Sequence, residues 1–151
     1  MPEQATLERA RRDKRAGKAP TTQAGEFVRE EIHHIREGKH GASSTKQAIA
    51  IGLSKARRAG VKLPPPARAR AKTKQSAKSA SRAAGRRRRP SLRRSRAIRR
   101  ALKRQPHRAA SRKALARQAR AAARRRPRSA RRAAARRAVR TKNAHVRRKN
   151  D

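Results

Sequence analysis

Residues 44–60 read STKQAIAIGLSKARRAG, and this stretch decides what kind of fold the chain can make. Ser44 followed by Gln47 is the S-x-x-Q pattern of a helix start, in which the serine oxygen takes a free N–H of the first turn. Ile49, Leu53 and Ala56 then recur at helical spacing, with Ala48 and Gly52 beside them. Gly60 stands where a left-handed residue ends a helix, and Val61 where the apolar contact after such an end falls. Arg57 and Arg58 suit the negative end of the helix dipole. Pro64, Pro65 and Pro66 terminate the unit and stiffen its exit. The spacing predicts a helix over 45–59.

Working back toward the N-terminus, Ala24, Val28, Ile32 and Ile35 share one helical face, with Phe27 flanking it. Thr22 is the expected N-cap, Gly38 the expected stop, and Glu26 lies in the favourable first turn. These positions predict a helix over 23–37. The fold class is therefore mostly α, with a small αα-hairpin head over 22–63. Its large apolar residues are Phe27, Val28, Ile32, Ile35, Ile49, Ile51 and Leu53. Domains of roughly 40 residues usually need a metal, a disulfide or a partner, so marginal stability or self-association through the head is expected. Residues 1–21 carry Leu7 as their one large apolar side chain after Met1. A helix over 5–16 has little to bury, and the segment is expected to be mobile.

Charge divides the chain as sharply as hydropathy does. Residues 1–37 hold seven acids and eight Lys or Arg, whereas residues 38–150 hold 41 Lys or Arg and no acid at all. The formal net charge is +41. Such a stretch repels itself and calls for a polyanion: DNA, RNA or an anionic membrane. Residues 64–151 form a low-complexity arm of 28 Arg, 7 Lys and 23 Ala, with only six large apolar residues. That composition cannot offset ordering entropy, so the free arm is expected to be disordered. Pro90, Pro106 and Pro127 punctuate it, and Ser95, Ser111 and Ser129 follow them as N-cap candidates. Ala and Arg favour helix, and only like-charge pairs at i, i+4 oppose it, by about 0.2–0.5 kcal/mol each. Helix over 95–105, 111–126 and 129–140 is expected once phosphates remove that repulsion.

The expected phosphate-binding residues are Arg86, Arg87, Arg88, Arg89, Arg93, Arg94, Arg99, Arg100, Arg124, Arg125, Arg126, Arg131, Arg132, Arg136, Arg137, Arg147, Arg148 and Lys149. Head contacts are expected from Lys46, Lys55, Arg57 and Arg58. Guanidinium forks grip phosphate oxygens bidentately and stay charged at physiological pH. At one duplex charge per 1.7 Å, the net charge matches roughly 70 Å of DNA, whereas a fully helical 88-residue arm reaches about 130 Å. One arm can therefore bridge several duplexes. Base reading is poorly supported, since the 38–44 connection is longer than a helix-turn-helix turn. Single-strand platforms need stacking aromatics, and the one aromatic ring is Phe27.

Other classes are excluded more simply. There is no Cys, so neither a disulfide nor a thiolate metal site can form. No run of about 18 apolar residues exists, and no broad Leu/Phe/Trp face suits a membrane surface. Glu3, Glu8 and Asp13 argue against a transit peptide. No Gly-rich phosphate loop, H-E-x-x-H or G-x-S-x-G motif appears, so neither enzymatic activity nor a cofactor is expected. Glu30 and His34 stand at i, i+4, with His33, His40 and Glu37 nearby, but two ligands on one helix do not make a site. No metal is expected.

The runs GEFVREE at 25–31, REGKHG at 36–41 and STKQAIAIGLSKARRAG at 44–60 resemble an uncharacterised family of small basic bacterial proteins, a domain of unknown function. Its heads share an E-F/M…E-G-K-H-G…K-Q-A-I-A-I-G-L-S-x-A-R pattern and carry variable basic tails. The resemblance covers about residues 20–66, implies a bacterial origin, and brings no catalytic residues. The arm is similar to the tails of histone H1-like bacterial proteins and protamines in composition alone. Together these readings point to a non-sequence-specific, nucleoid-associated binder of double-stranded DNA in the bacterial cytoplasm. The rival is an RNA-binding or ribosome-associated basic protein.

Overall fold

A computed structural model describes residues 2–67, 69–85 and 91–150. Among them are seven α-helices, one short 3₁₀ turn and no strand: α1 Gln4–Arg15, α2 Pro20–Arg36, α3 Thr45–Arg58, α4 Ala71–Arg82, α5 Leu92–Lys103, a 3₁₀ turn His107–Ala110, α6 Arg112–Arg124 and α7 Arg128–Asn150. The chain is mostly α, as its periodicity predicts.

The α2–α3 hairpin forms where the spacing places it. Ser44 Oγ accepts from the Gln47 N–H at 3.2 Å. Gln47 Oε1 reaches back one residue further than a capping box requires, accepting from the Ser43 N–H and hydroxyl at 2.7 Å. Both helices end on a glycine at positive φ, Gly38 at 75° and Gly60 at 92°. Lys39 N–H bonds the His34 carbonyl, and Val61 N–H the Ala56 carbonyl, each at 3.0 Å, which closes a Schellman turn at each end. α2 starts earlier than predicted, at Pro20 rather than near Gln23, and Ala19 replaces Thr22 as its N-cap. Proline at the first helical position has its φ set in advance, and the N–H it lacks would be unpaired there anyway.

The two helices approach closely because Gly52 faces α2. A Cβ at Gly52 would lie 2.7 Å from Val28 Cα and 3.0 Å from the Phe27 carbonyl oxygen. Small residues do much of the packing: Ala24, Ala48 and Ala56 are fully buried beside Phe27 and Ile35. Val61 and Leu63 continue that core beyond α3. Val28, Ile49, Ile51 and Leu53, expected in the core, are only half-buried.

The expectation of a mobile N-terminus is corrected. Residues 4–15 form α1 and pack on α2. The buried face consists of Thr6, Ala10 and Asp13, with Leu7 half-buried against the core. Ion pairs do what large apolar side chains do elsewhere. Arg9 Nε meets Glu26 Oε2 at 2.7 Å, and Lys18 Nζ meets Asp13 Oδ1 at 2.7 Å. Glu3 donates its N–H to Glu30 Oε2 at 3.2 Å.

The expected boundary at Leu63/Pro64 is likewise displaced. α4 packs on α3 through Ala77 and Ala80. Residues 102–110 then return to the hairpin. Gly41 N–H donates to the Leu102 carbonyl at 2.9 Å, Arg36 Nε to the Ala110 carbonyl at 2.9 Å, and buried Thr45 Oγ1 to the Ala109 carbonyl at 2.7 Å. The first compact unit thus extends to Ala114, and a second begins at Leu115. The segments expected to become helical on a polyanion correspond to α5, α6 and α7, and they are helical in this structure without one.

Replacing Gly52 with Ala tests the close approach. Alanine is the better helix former by about 1 kcal/mol, yet its Cβ would push into α2 backbone. Urea unfolding followed by circular dichroism should show a net loss on the order of 1–3 kcal/mol, the usual cost of overpacking. A gain in stability would contradict the packing described. Thr45→Val should cost about 1–2 kcal/mol by leaving the Ala109 carbonyl without its buried donor, and should speed amide exchange across residues 107–110.

Candidate nucleic-acid interface

Helix formation sorts the arm's charges into rows. On α5, Arg93, Arg96, Arg100 and Lys103 stand at i, i+3, i+7 and i+10, which places them on one face with Arg99 beside them. All five are exposed. Ile98 and Leu102 lie on the other side. On α6, Lys113, Arg117, Arg120 and Arg124 make a second exposed row at i, i+4, i+7 and i+11. Half-buried Ala114, Leu115, Gln118 and Ala121 occupy its opposite face. On α7, Arg128, Arg132, Arg136 and Arg140 follow one another at i+4, flanked by Arg131 and Arg137, all exposed. No Asp or Glu occurs from Gly38 to Asn150, so α5 and α6 carry no acid of their own to balance these rows.

Of the expected arm residues, Arg93, Arg94, Arg99, Arg100, Arg124, Arg125, Arg126, Arg131, Arg132, Arg136 and Arg137 are all exposed. By its spacing, Arg94 stands off the α5 row. Arg86, Arg87, Arg88 and Arg89 lie outside the described residues. Arg147, Arg148 and Lys149 belong to the last turns of α7, and their side chains lie outside the described ones. Sequence reading favoured dense clusters and passed over Arg96, Lys103, Lys113, Arg117 and Arg120. Their i, i+3, i+4, i+7 recurrence was the signal that could have found them.

The head contributes less than expected. Lys46 and Arg58 are exposed and available. Lys55 and Arg57 are not, which corrects their assignment as nucleic-acid contacts. Lys55 Nζ lies 2.8 Å from Glu31 Oε2 and 3.4 Å from Glu30 Oε1. Arg57 is buried and donates to the Pro64 carbonyl at 3.2 Å. Both sit in α3, but the first faces the acids of α2 and the second holds the segment that leaves the helix.

A second cluster lies on the α1–α2 side of the head. Glu31, His34 and His40 each offer a ligand atom, and the three atoms lie within 4.8 Å of one another. Glu30, which the i, i+4 spacing paired with His34, instead serves Lys55 and the Glu3 N–H. Around the rim, the hydrogen bond from His34 holds the Glu3 carboxyl below its ordinary pKa. The Lys39 hydrogen bond does the same for Glu37, and Glu37 in turn raises Lys39.

No described helix is long and apolar enough to cross a membrane. No curated protein and no solved structure matches the chain. Residues 11–67 match the model of a family of unknown function (DUF6496), a stretch that takes in the end of α1 and the whole α2–α3 hairpin.

Proposed function

We propose that the chain binds double-stranded DNA without reading its sequence, as a nucleoid-associated protein of the bacterial cytoplasm. The observation that carries this reading is the set of exposed Arg and Lys rows on α5, α6 and α7 in a stretch with no acid. Each row offers phosphates a line of cations, bidentate at its arginines. The α5 row spans about 15 Å and the α6 row about 16 Å at 1.5 Å per residue. Duplex DNA offers many phosphates over such a length. Compaction follows when rows on separate helices engage separate duplexes. The head adds Lys46 and Arg58 at most, so the rows carry the affinity.

In this reading the arm's helices hold weakly in the free chain. The Arg128, Arg132, Arg136 and Arg140 row contains three like-charge i, i+4 pairs, each opposing helix by about 0.2–0.5 kcal/mol at low ionic strength. Phosphates that settle between the guanidinium groups remove that repulsion, so binding and helix strength are coupled. Circular dichroism of the full chain in low salt should show helix content rising when duplex DNA is added. An unchanged spectrum at saturation would remove the coupling from the account.

Removing the α5 row tests the phosphate contacts. Substituting Arg93, Arg96, Arg100 and Lys103 together with Gln should weaken duplex binding and flatten its salt dependence. Four lost contacts correspond to a log–log slope less steep by about 3.6 for B-DNA. Competition at matched phosphate separates the RNA-binding rival. If double-stranded RNA displaces labelled duplex DNA more strongly than DNA itself does, the ribosome-associated reading replaces this one.

A further inference from the structure

Glu31 sits fully buried on α2, and neither of its carboxylate oxygens has a hydrogen-bond partner. Lys55 Nζ makes an ion pair with Oε2 at 2.8 Å without the alignment of a hydrogen bond. Oε1 faces His40 Nε2 at 3.3 Å. The other nitrogen of that ring, Nδ1, lies 3.1 Å from the Gly41 carbonyl oxygen. A carbonyl only accepts, so Nδ1 carries the proton. In the neutral ring, Nε2 then presents a lone pair to a carboxylate oxygen. Two acceptors at that separation call for a cation between them.

The charge of the pocket makes the same demand. The side chains of Glu30 and Glu31 are 1% and 0% exposed, and Lys55 is the one ammonium paired with both. Two buried negative charges thus share one positive charge, in a chain whose net charge is +41. His34 completes the set, with a ring nitrogen within 4.8 Å of the Glu31 and His40 ligand atoms. Glu3 Oε1 anchors the His34 ring from the α1 side at 2.8 Å from Nε2. A carboxylate or backbone carbonyl behind each imidazole is the arrangement that orients metal-bound histidines.

We propose that Glu31, His34 and His40 bind a divalent transition-metal ion of the zinc type. Two imidazoles and one carboxylate suit Zn²⁺ and its first-row neighbours rather than Mg²⁺ or Ca²⁺. Zinc ligands at about 2.0–2.2 Å from the ion stand roughly 3.4 Å apart; Glu31 Oε1 and His40 Nε2 already stand 3.3 Å apart, and a His34 nitrogen lies within 4.8 Å of the ligand atoms of both residues. Three protein ligands leave a fourth position for water or another ligand. The ion supplies the missing positive charge, coordinates a buried oxygen that now lacks a partner, and ties the 37–44 connection to α2. That connection carries Gly41, whose N–H holds Leu102. A Cβ at Gly41 would overlap the Gln105 carbonyl, so fixing this loop also fixes the docking of residues 102–110.

The test is titration of the full chain with zinc chloride in a phosphate-free buffer near neutral pH, read by calorimetry and by thermal unfolding. One equivalent should bind. At free zinc a hundred times the dissociation constant, the folded-to-unfolded ratio should rise about 100-fold. His40→Gln, outside any helix, should keep the far-ultraviolet spectrum and lose the equivalent. Glu31→Gln should lose it too; if that variant unfolds, His40→Gln decides. His33→Gln, at the exposed neighbouring histidine, should bind as the parent does. Millimolar Mg²⁺ should leave zinc binding intact. Absence of a stoichiometric equivalent, retention of it by His40→Gln, its loss in His33→Gln, or displacement by Mg²⁺ would each overturn the proposal.

Discussion

Eight carboxylates must serve 49 cationic side chains, and the protein folds most tightly where those carboxylates are. Seven of the eight lie within the first 37 residues. Glu26, Asp13, Glu30 and Glu31 pair with Arg9, Lys18 and Lys55, so α1, α2 and α3 are joined by ion pairs as well as by burial. Ion pairs at partly buried positions are not strong in themselves, since desolvation offsets much of their attraction. Their role here is to let the acids of α2 neutralise charge on the basic helices α1 and α3. From Gly38 to Asn150 there is no acid, and the segments after α3 attach through backbone carbonyls and alanine faces instead.

That division explains how a chain with so few large side chains makes a compact unit. Gly52 lets the backbones of α2 and α3 approach closely, and Ala24, Ala48 and Ala56 fill the seam. Residues 102–110 dock by donors from Gly41, Thr45 and Arg36 to main-chain oxygens. None of these contacts consumes an arm arginine. The arginines of α5 and α6, and those of α7 as far as Arg140, stay exposed, and helix geometry aligns many of them into rows. Folding and the proposed phosphate contacts therefore draw on different residues.

How much of this the sequence discloses depends on the kind of contact. α3 was legible to within a residue, because Ser44, Gln47 and Gly60 mark its ends chemically. α2 was legible except for its start, where Pro20 has no apolar partner to announce it. α1 was hidden because its buried face is Thr6, Ala10 and Asp13, which reads as polar at any period. The docking of residues 102–110 was hidden more deeply, since backbone-to-backbone and side-chain-to-carbonyl bonds leave almost no trace in residue type. The interface rows were half legible. Dense clusters such as Arg124–Arg126 stand out in one dimension, whereas the α5 row separates its members by three or four residues. The histidine cluster shows a similar limit. Spacing on a single helix selects Glu30 with His34, but the three-dimensional set includes His40 from the connection between α2 and α3.

In the proposed function the arm grips duplex backbone and is indifferent to base sequence. Equilibrium binding of the full chain to two duplexes of equal length and unrelated sequence, across a range of salt concentrations, tests it most directly. The account predicts affinities equal within about twofold and a steep common salt slope, near −9 for about ten phosphate contacts. A preference of more than about a hundredfold for one duplex, or a slope near zero, would contradict it.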